Sequence, residues 1–173
     1  NKIQELELKI KNQTIPKVIN IHFIGRLQTN KVKKAVGLCD YIQSVNSSRL
    51  LKKINKEAQK INKIQKIYLQ VNIGKDEKKQ GFEKEEVFKK AKEFLDYKNI
   101  AIKGLMTILP QELTQKQKRN LYRKTYKIQQ KIQKQYFKDC LSLSMGMSDD
   151  YIEALNEGAT EIRIGTKLYG KRQ

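Results

Sequence analysis

The stretch Ser142–Gly170, SLSMGMSDDYIEALNEGATEIRIGTKLYG, decides how this chain folds. Leu141, Leu143 and Met145 alternate with polar residues into a turn at Gly146, the period of a half-buried strand. Asp149 and Asp150 offer side-chain oxygens for a helix start, and Asp150 with Glu153 has capping-box spacing. Tyr151, Ile152, Ala154 and Leu155 give that helix a short apolar face, and Gly158 suits its C-terminal end. Ile162, Ile164 and Leu168 mark a further strand over 161–169, interrupted by Gly165. The unit is strand, helix, strand. Both strands end in small residues with accessible backbone N–H groups, which is what an anion site requires.

The same alternation runs back through the chain. Ile3, Leu6 and Ile10 predict an opening amphipathic helix over 2–11. Val18–Ile24, with His22 inside it, reads as a first strand, and Val32, Ala35 and Val36 mark the next helix. Tyr41–Val45 is a second strand, after which Ser47 or Ser48 caps a helix carrying Leu50, Leu51, Ile54, Ala58 and Ile61. Ile67–Ile73 follows as a strand, and Val87, Phe88, Ala91, Phe94 and Leu95 draw the clearest helical stripe. Ile100–Leu109 is another strand. Residues 114–137 form a Lys/Gln-rich helix with Leu121, Thr125, Ile128 and Ile132 on one side. Six strands alternate with helices, and no Asn-Gly hairpin turn joins neighbours, so the strands are parallel and the helices cross over. An open doubly wound sheet and a (β/α)₈ barrel with strands missing both satisfy that pattern. The 173 residues suffice for one domain spanning 1–173.

Composition removes several function classes. Lysine and arginine total 37 against 18 acidic residues, a net charge of +19, which by itself points to nucleic acid or anionic membrane. The lysines are spread along the whole chain, however, and Lys, Asn, Ile and Gln are enriched together. A solvated surface is the better account, and no nucleic acid is expected as a partner. Cys39, Cys140 and the single histidine, His22, have no metal-ligand spacing, so no metal is expected. No run approaches the roughly 18 apolar residues of a membrane span, and no apolar signal segment opens the chain. A soluble protein of the cytoplasm, or of mitochondria, is expected. Neither G-x-G-x-x-G nor G-x-x-x-x-G-K-[ST] occurs, which argues against dinucleotide and nucleoside triphosphate sites.

In βα folds the ligand lies outside the carboxyl ends of the strands. Those ends are Gly25–Gln28, Val45–Ser47, Asn72–Gly74, Met106–Thr107, Ser144–Ser148 and Arg163–Thr166. They offer mainly Gly, Ser, Thr, Asn and Gln, with no Ser–His–Asp set and no pair of carboxylates on neighbouring ends. Hydroxyls, backbone N–H groups and one arginine suit a phosphorylated ligand, and the last two strands are where barrels commonly hold phosphate. Taken singly, Ser144 and Ser148 also read as turn formers, Thr166 as a cap, and Arg163 as half of an ion pair with Glu161 or Asp149.

His22-Phe-Ile-Gly-Arg-Leu-Gln-Thr-Asn-Lys31, Gly104-Leu-Met-Thr107, Leu143-Ser-Met-Gly-Met-Ser-Asp-Asp150 and Arg163-Ile-Gly-Thr166 resemble the pyridoxal-phosphate homeostasis proteins. The resemblance runs from Asn1 to Gly170. It implies an α/β fold, a (β/α)₈ TIM-type barrel of the alanine racemase N-terminal type, incomplete here with about six parallel strands. It also implies a non-enzymatic protein that binds pyridoxal 5′-phosphate in intracellular vitamin B6 homeostasis, with pyridoxal-phosphate-dependent apoenzymes as partners. By the same resemblance Ser144, Gly165 and Thr166 hold the phosphate, Met145 lies close by, and Arg163 faces the ring nitrogen. The chain departs from the family in one respect. The family's cofactor lysine lies on the first barrel strand, in an A-V-S-K-like run that this sequence lacks, and Asn1–Glu5 resembles the start of the family's second helix. The first two strands therefore have no counterpart, and without that lysine the usual covalent link to the cofactor cannot form. The chain reads as N-terminally truncated, with open sheet edges on 18–24 and 161–169. A degenerate paralogue without covalent binding, or a fragment of a racemase or decarboxylase barrel, is the rival expectation.

Overall fold

The structure is a computed structural model that describes residues 1–12, 16 and 18–170. Seven α-helices and six strands alternate among those residues: α1 (Ile3–Asn12), β1 (His22–Phe23), α2 (Val32–Leu38), β2 (Tyr41–Val45), α3 (Ser48–Lys60), β3 (Gln65–Gln70), α4 (Lys84–Phe94), β4 (Ile100–Met106), α5 (Gln115–Gln135), β5 (Ser142–Met147), α6 (Tyr151–Asn156), β6 (Glu161–Arg163) and α7 (Thr166–Tyr169). The strands pair in sequence order, β1 to β6, and every pairing is parallel. That order requires a crossover after each strand, and the helices supply it.

Side-chain contacts show that the sheet curls. With strands about 4.8 Å apart, a flat sheet would hold β6 roughly 19 Å from β2. Yet Gln43 on β2 donates to Glu161 on β6 at 2.7 Å, and Glu161 also accepts from Tyr68 on β3. The six strands form an incomplete barrel, open between β1 and β6. The core lies between the sheet's outer face and the helices. Ile42, Ile67, Leu69, Leu105, Leu143 and Met145 are buried there with Leu51, Ile54, Val87, Ala91, Ile128 and Ile132 from the helices. Caps set the helix starts: Ser47 Oγ accepts from Leu50 N at 3.3 Å, and Thr114 and Gln117 close a reciprocal capping box.

Several predicted boundaries move. Tyr41–Val45 is a strand as predicted, whereas the first strand shrinks to His22–Phe23. The strand predicted over 67–73 runs Gln65–Gln70, and the one over 100–109 stops at Met106. The last predicted strand, 161–169, divides into β6 and the helix α7: past Arg163 no strand among the described residues pairs with it, and the chain satisfies its own backbone groups helically. Asp150 does not cap α6 through its side chain; its carboxylate accepts from Met147 N at 2.7 Å and shapes the turn before the helix. The predicted apolar face of α6 is only partly covered: Ala154 is buried, while Ile152 and Leu155 lie exposed at the rim. Gly158 does end α6, with Ala159 N bonded to Ala154 O and Gly158 N to Leu155 O, a Schellman closure at φ 91°.

Candidate functional site

The concave face of the curled sheet opens into a cavity of about 1370 Å³, lined by His22, Tyr41, Gln43 and Tyr68 from the early strands. Ser148, Glu161, Arg163, Gly165 and Thr166 line it from the last two strand ends. Two-residue alternation on the strands puts these side chains inward while their neighbours fill the core. A sharp bend near the end of β5 returns the chain to the cavity wall. Gly146 makes that bend at φ 91°, and a Cβ there would stand 2.6 Å from Ala154 Cβ. Ser148 Oγ then accepts from Gly165 N at 3.3 Å, tying the ends of β5 and β6 together.

The structure places the predicted residues on three levels. Arg163, Gly165 and Thr166 line the cavity. Ser144 is fully buried one level below, where it accepts from Arg163 Nη1 at 2.8 Å. Met145 points the other way, into the core beneath the helices. The resemblance implies that Met145 lies close to the ligand; as the strand neighbour of Ser144 it faces the opposite side of the sheet.

Arg163 makes no ion pair with Glu161 or Asp149. Its guanidinium donates to two neutral oxygens, Ser144 Oγ and the Thr107 carbonyl at 2.7 Å. Burial lowers its pKa from the ordinary guanidinium value, with Tyr122, Asp150 and Glu161 acting in the opposite sense. A guanidinium remains charged under such a shift. The cavity thus has a positive charge that no carboxylate contacts directly.

Sequence reasoning missed the polar cluster on the opposite wall. Glu161 accepts from Gln43 and Tyr68, and its Oε2 lies 3.6 Å from His22 Nδ1. The His22 ring stacks on Tyr41 with centroids 4.2 Å apart. Burial lowers the His22 pKa from 6.5, partly offset by Glu161 and Asp40, while Lys66 lowers it further. Burial and the hydrogen bond to Glu161 both push the Tyr68 hydroxyl upward. The rule that ligands lie beyond the carboxyl ends overlooks these residues because His22, Tyr41 and Glu161 open their strands and Gln43 and Tyr68 lie within theirs. Inward-facing polar residues at Tyr41, Gln43 and Tyr68 in apolar strands were the available signal.

The residues fit a phosphorylated pyridine ligand in part. A Cβ on Gly165 would meet nothing within 4 Å, so packing within the chain does not demand glycine there, and the cavity beside it is open to a ligand, while its N–H donates to Ser148 Oγ. Ser148, Thr166 and Arg163 complete a donor set suited to phosphate and to a ring nitrogen acting as acceptor. The aldehyde end finds no such fit, for no lysine among the described residues lines the cavity. Lys167 Nζ sits over the Tyr151 ring, 4.5 Å from its centroid, and Lys31 lies along a separate, smaller cavity.

Known proteins resemble this chain in sequence and in fold. The family described as "Alanine racemase, N-terminal domain" matches residues 5–173. A protein of Aquifex aeolicus named pyridoxal phosphate homeostasis protein is 41% identical over 152 residues, covering 88% of this chain and 67% of that relative. A Synechocystis protein of the same name is 39% identical over 172 residues, covering 99% of this chain and 79% of its own length. The structure of PipY from Synechococcus elongatus with PLP bound superposes with a TM-score of 0.91 at 32% identity, covering 98% of this chain and 79% of PipY.

Proposed function

We infer the function of a chain that belongs to the alanine racemase N-terminal domain family, and within it to the pyridoxal phosphate homeostasis proteins. It binds pyridoxal 5′-phosphate in the concave cavity and acts without turnover in vitamin B6 homeostasis. The observation that carries this reading is the meeting of Arg163, Gly165, Thr166 and Ser148 on one cavity wall, in a fold shared with a pyridoxal-phosphate-bound relative. Ser148 Oγ, which the Gly165 N–H holds in place, and Thr166 take the phosphate alongside the Gly165 backbone. Arg163 donates to the ring nitrogen, which must be unprotonated to accept. Ser144 contributes from beneath through Arg163, and Met145 backs the wall from the core side. When bound, the cofactor supplies a reactive aldehyde; this chain's described residues hold the phosphate and ring, and no lysine among them lines the cavity.

No helix among the described residues is long and apolar enough to cross a membrane. We place the protein in the cytoplasm, delivering its cofactor to pyridoxal-phosphate-dependent apoenzymes. Calorimetric titration with pyridoxal phosphate tests the binding. Saturable uptake is expected, with affinity falling about tenfold to a hundredfold in Arg163→Leu, the loss of one charge-assisted contact in a partly buried site. Absence of saturable uptake would refute the function. Borohydride treatment that fixes the ligand on a lysine of this chain would refute the reading that none of its described lysines reaches the aldehyde.

A further inference from the structure

Arg163 is held by a chain of neutral groups that begins on the far side of the barrel. Gln43 is only 2% exposed and has partners for both ends of its amide. Its Oε1 accepts from Ser144 Oγ at 2.6 Å, and its Nε2 lies 2.7 Å from both Glu161 Oε2 and His22 Nδ1. The directions of these bonds are forced. A guanidinium can only donate, so Ser144 accepts from Arg163 and sends its single proton to Gln43 Oε1. The amide N–H₂ must then face Glu161, an acceptor, and His22 Nδ1, which accepts in the tautomer protonated at Nε2. A flipped amide would set its oxygen against the Glu161 carboxylate and leave the Ser144 proton without its acceptor. One orientation satisfies every partner.

We propose that Gln43 is a positioning residue of the ligand site: acting through Ser144, it holds the Arg163 guanidinium at the angle from which it meets the ligand's ring. This rests on the cavity being a pyridoxal phosphate site. The second anchor of Arg163, the Thr107 carbonyl, fixes one nitrogen, and the Ser144 bond removes the remaining rotation about that contact. Ser144 can hold its hydroxyl in place only while its own proton has an acceptor, and Gln43 is that acceptor. The phosphate end is independent of this chain. It is built from Ser148, Gly165 and Thr166, none of which bonds to Gln43.

The test uses Gln43→Met, which keeps the length of the side chain and removes both amide groups, and Ser144→Ala as a smaller change should the first variant not fold. Two quantities are read. One is hydrogen exchange of the Arg163 guanidinium, followed by NMR on the unliganded chain. The other is affinity for pyridoxal phosphate compared with inorganic phosphate. In either variant the exchange rises about tenfold and pyridoxal phosphate binds about tenfold more weakly, the size of one lost hydrogen bond to a charged group. Inorganic phosphate stays within about twofold, because its donors are untouched. The double variant adds no more than about twofold, since both changes cut one chain. Equal weakening of the two ligands, or unchanged Arg163 exchange, would overturn the proposal, Gln43 then being an ordinary buried amide. If the unaltered chain takes up no pyridoxal phosphate while the exchange still rises in the variants, the ligand reading fails and the positioning of Arg163 stands.

Discussion

The two faces of the curled sheet are made by the same six strands and differ in every other respect. On the outer face Ile42, Ile67, Leu69, Leu105, Leu143 and Met145 are buried against helices in one continuous core. On the inner face His22, Gln43, Tyr68, Ser144, Glu161 and Arg163 form a directional polar network with the cavity in front of it. Apolar burial contributes roughly 25 cal/mol per Å² and is indifferent to orientation. A hydrogen bond contributes about 1 kcal/mol net but exacts more when one partner is left alone. The outer face therefore carries stability, and the inner face carries geometry. A protein that holds a ligand needs both on one strand, and alternation provides them without either compromising the other.

Three substitutions would break or sharpen this contrast. The largest effect belongs to the outer face. Leu105→Ala should lower unfolding free energy by about 2–5 kcal/mol, read from the urea midpoint, because it opens a cavity in a close-packed core. Its affinity for pyridoxal phosphate should stay within about twofold where the chain is folded. Affinity that fell in step with stability would show that the faces are not separable.

A middle-sized effect belongs to the inner face. Tyr68→Phe removes one donor to Glu161 while keeping the ring, and should cost about 1 kcal/mol. A loss as large as that of Leu105→Ala would mean that the polar network, and not the core, holds the barrel together. The smallest effect is a pH dependence. Burial holds the His22 pKa below 6.5 in the folded chain, so the unfolded chain binds the proton more readily. The stability from this residue is full above pH 6.5 and declines as pH falls through that value toward the folded one. His22→Phe, which keeps an aromatic ring against Tyr41, should flatten the urea midpoint between pH 7 and 5 relative to the unaltered chain. An unchanged slope would assign the pH dependence elsewhere.

Legibility in the sequence followed the same division. The strands against the core were found because apolar residues repeat at fixed periods, and Tyr41–Val45 matched to the residue. The edges were misjudged. Ile164 and Leu168 look like strand residues, yet beyond Arg163 no strand among the described residues takes up their backbone groups, and the chain turns helical at Thr166. Ser144 and Met145 were read together from one motif. The pleat separates them, sending the hydroxyl inward and the thioether into the core.

Local pattern alone determined the alternation of strand and helix, the parallel pairing that follows from it, and the small polar residues at the last two strand ends. These depend on neighbours within a few positions, where periodicity and turn chemistry act. Tertiary structure alone decided that Gln43 meets Ser144, that Glu161 reaches Tyr68, and that Arg163 rests on two neutral oxygens and no carboxylate. Those contacts join residues on different strands, 101 positions apart in the case of Gln43 and Ser144. They exist because the twist and curvature of the sheet bring its early and late strands across one interior, a property of the assembled barrel that no segment carries by itself.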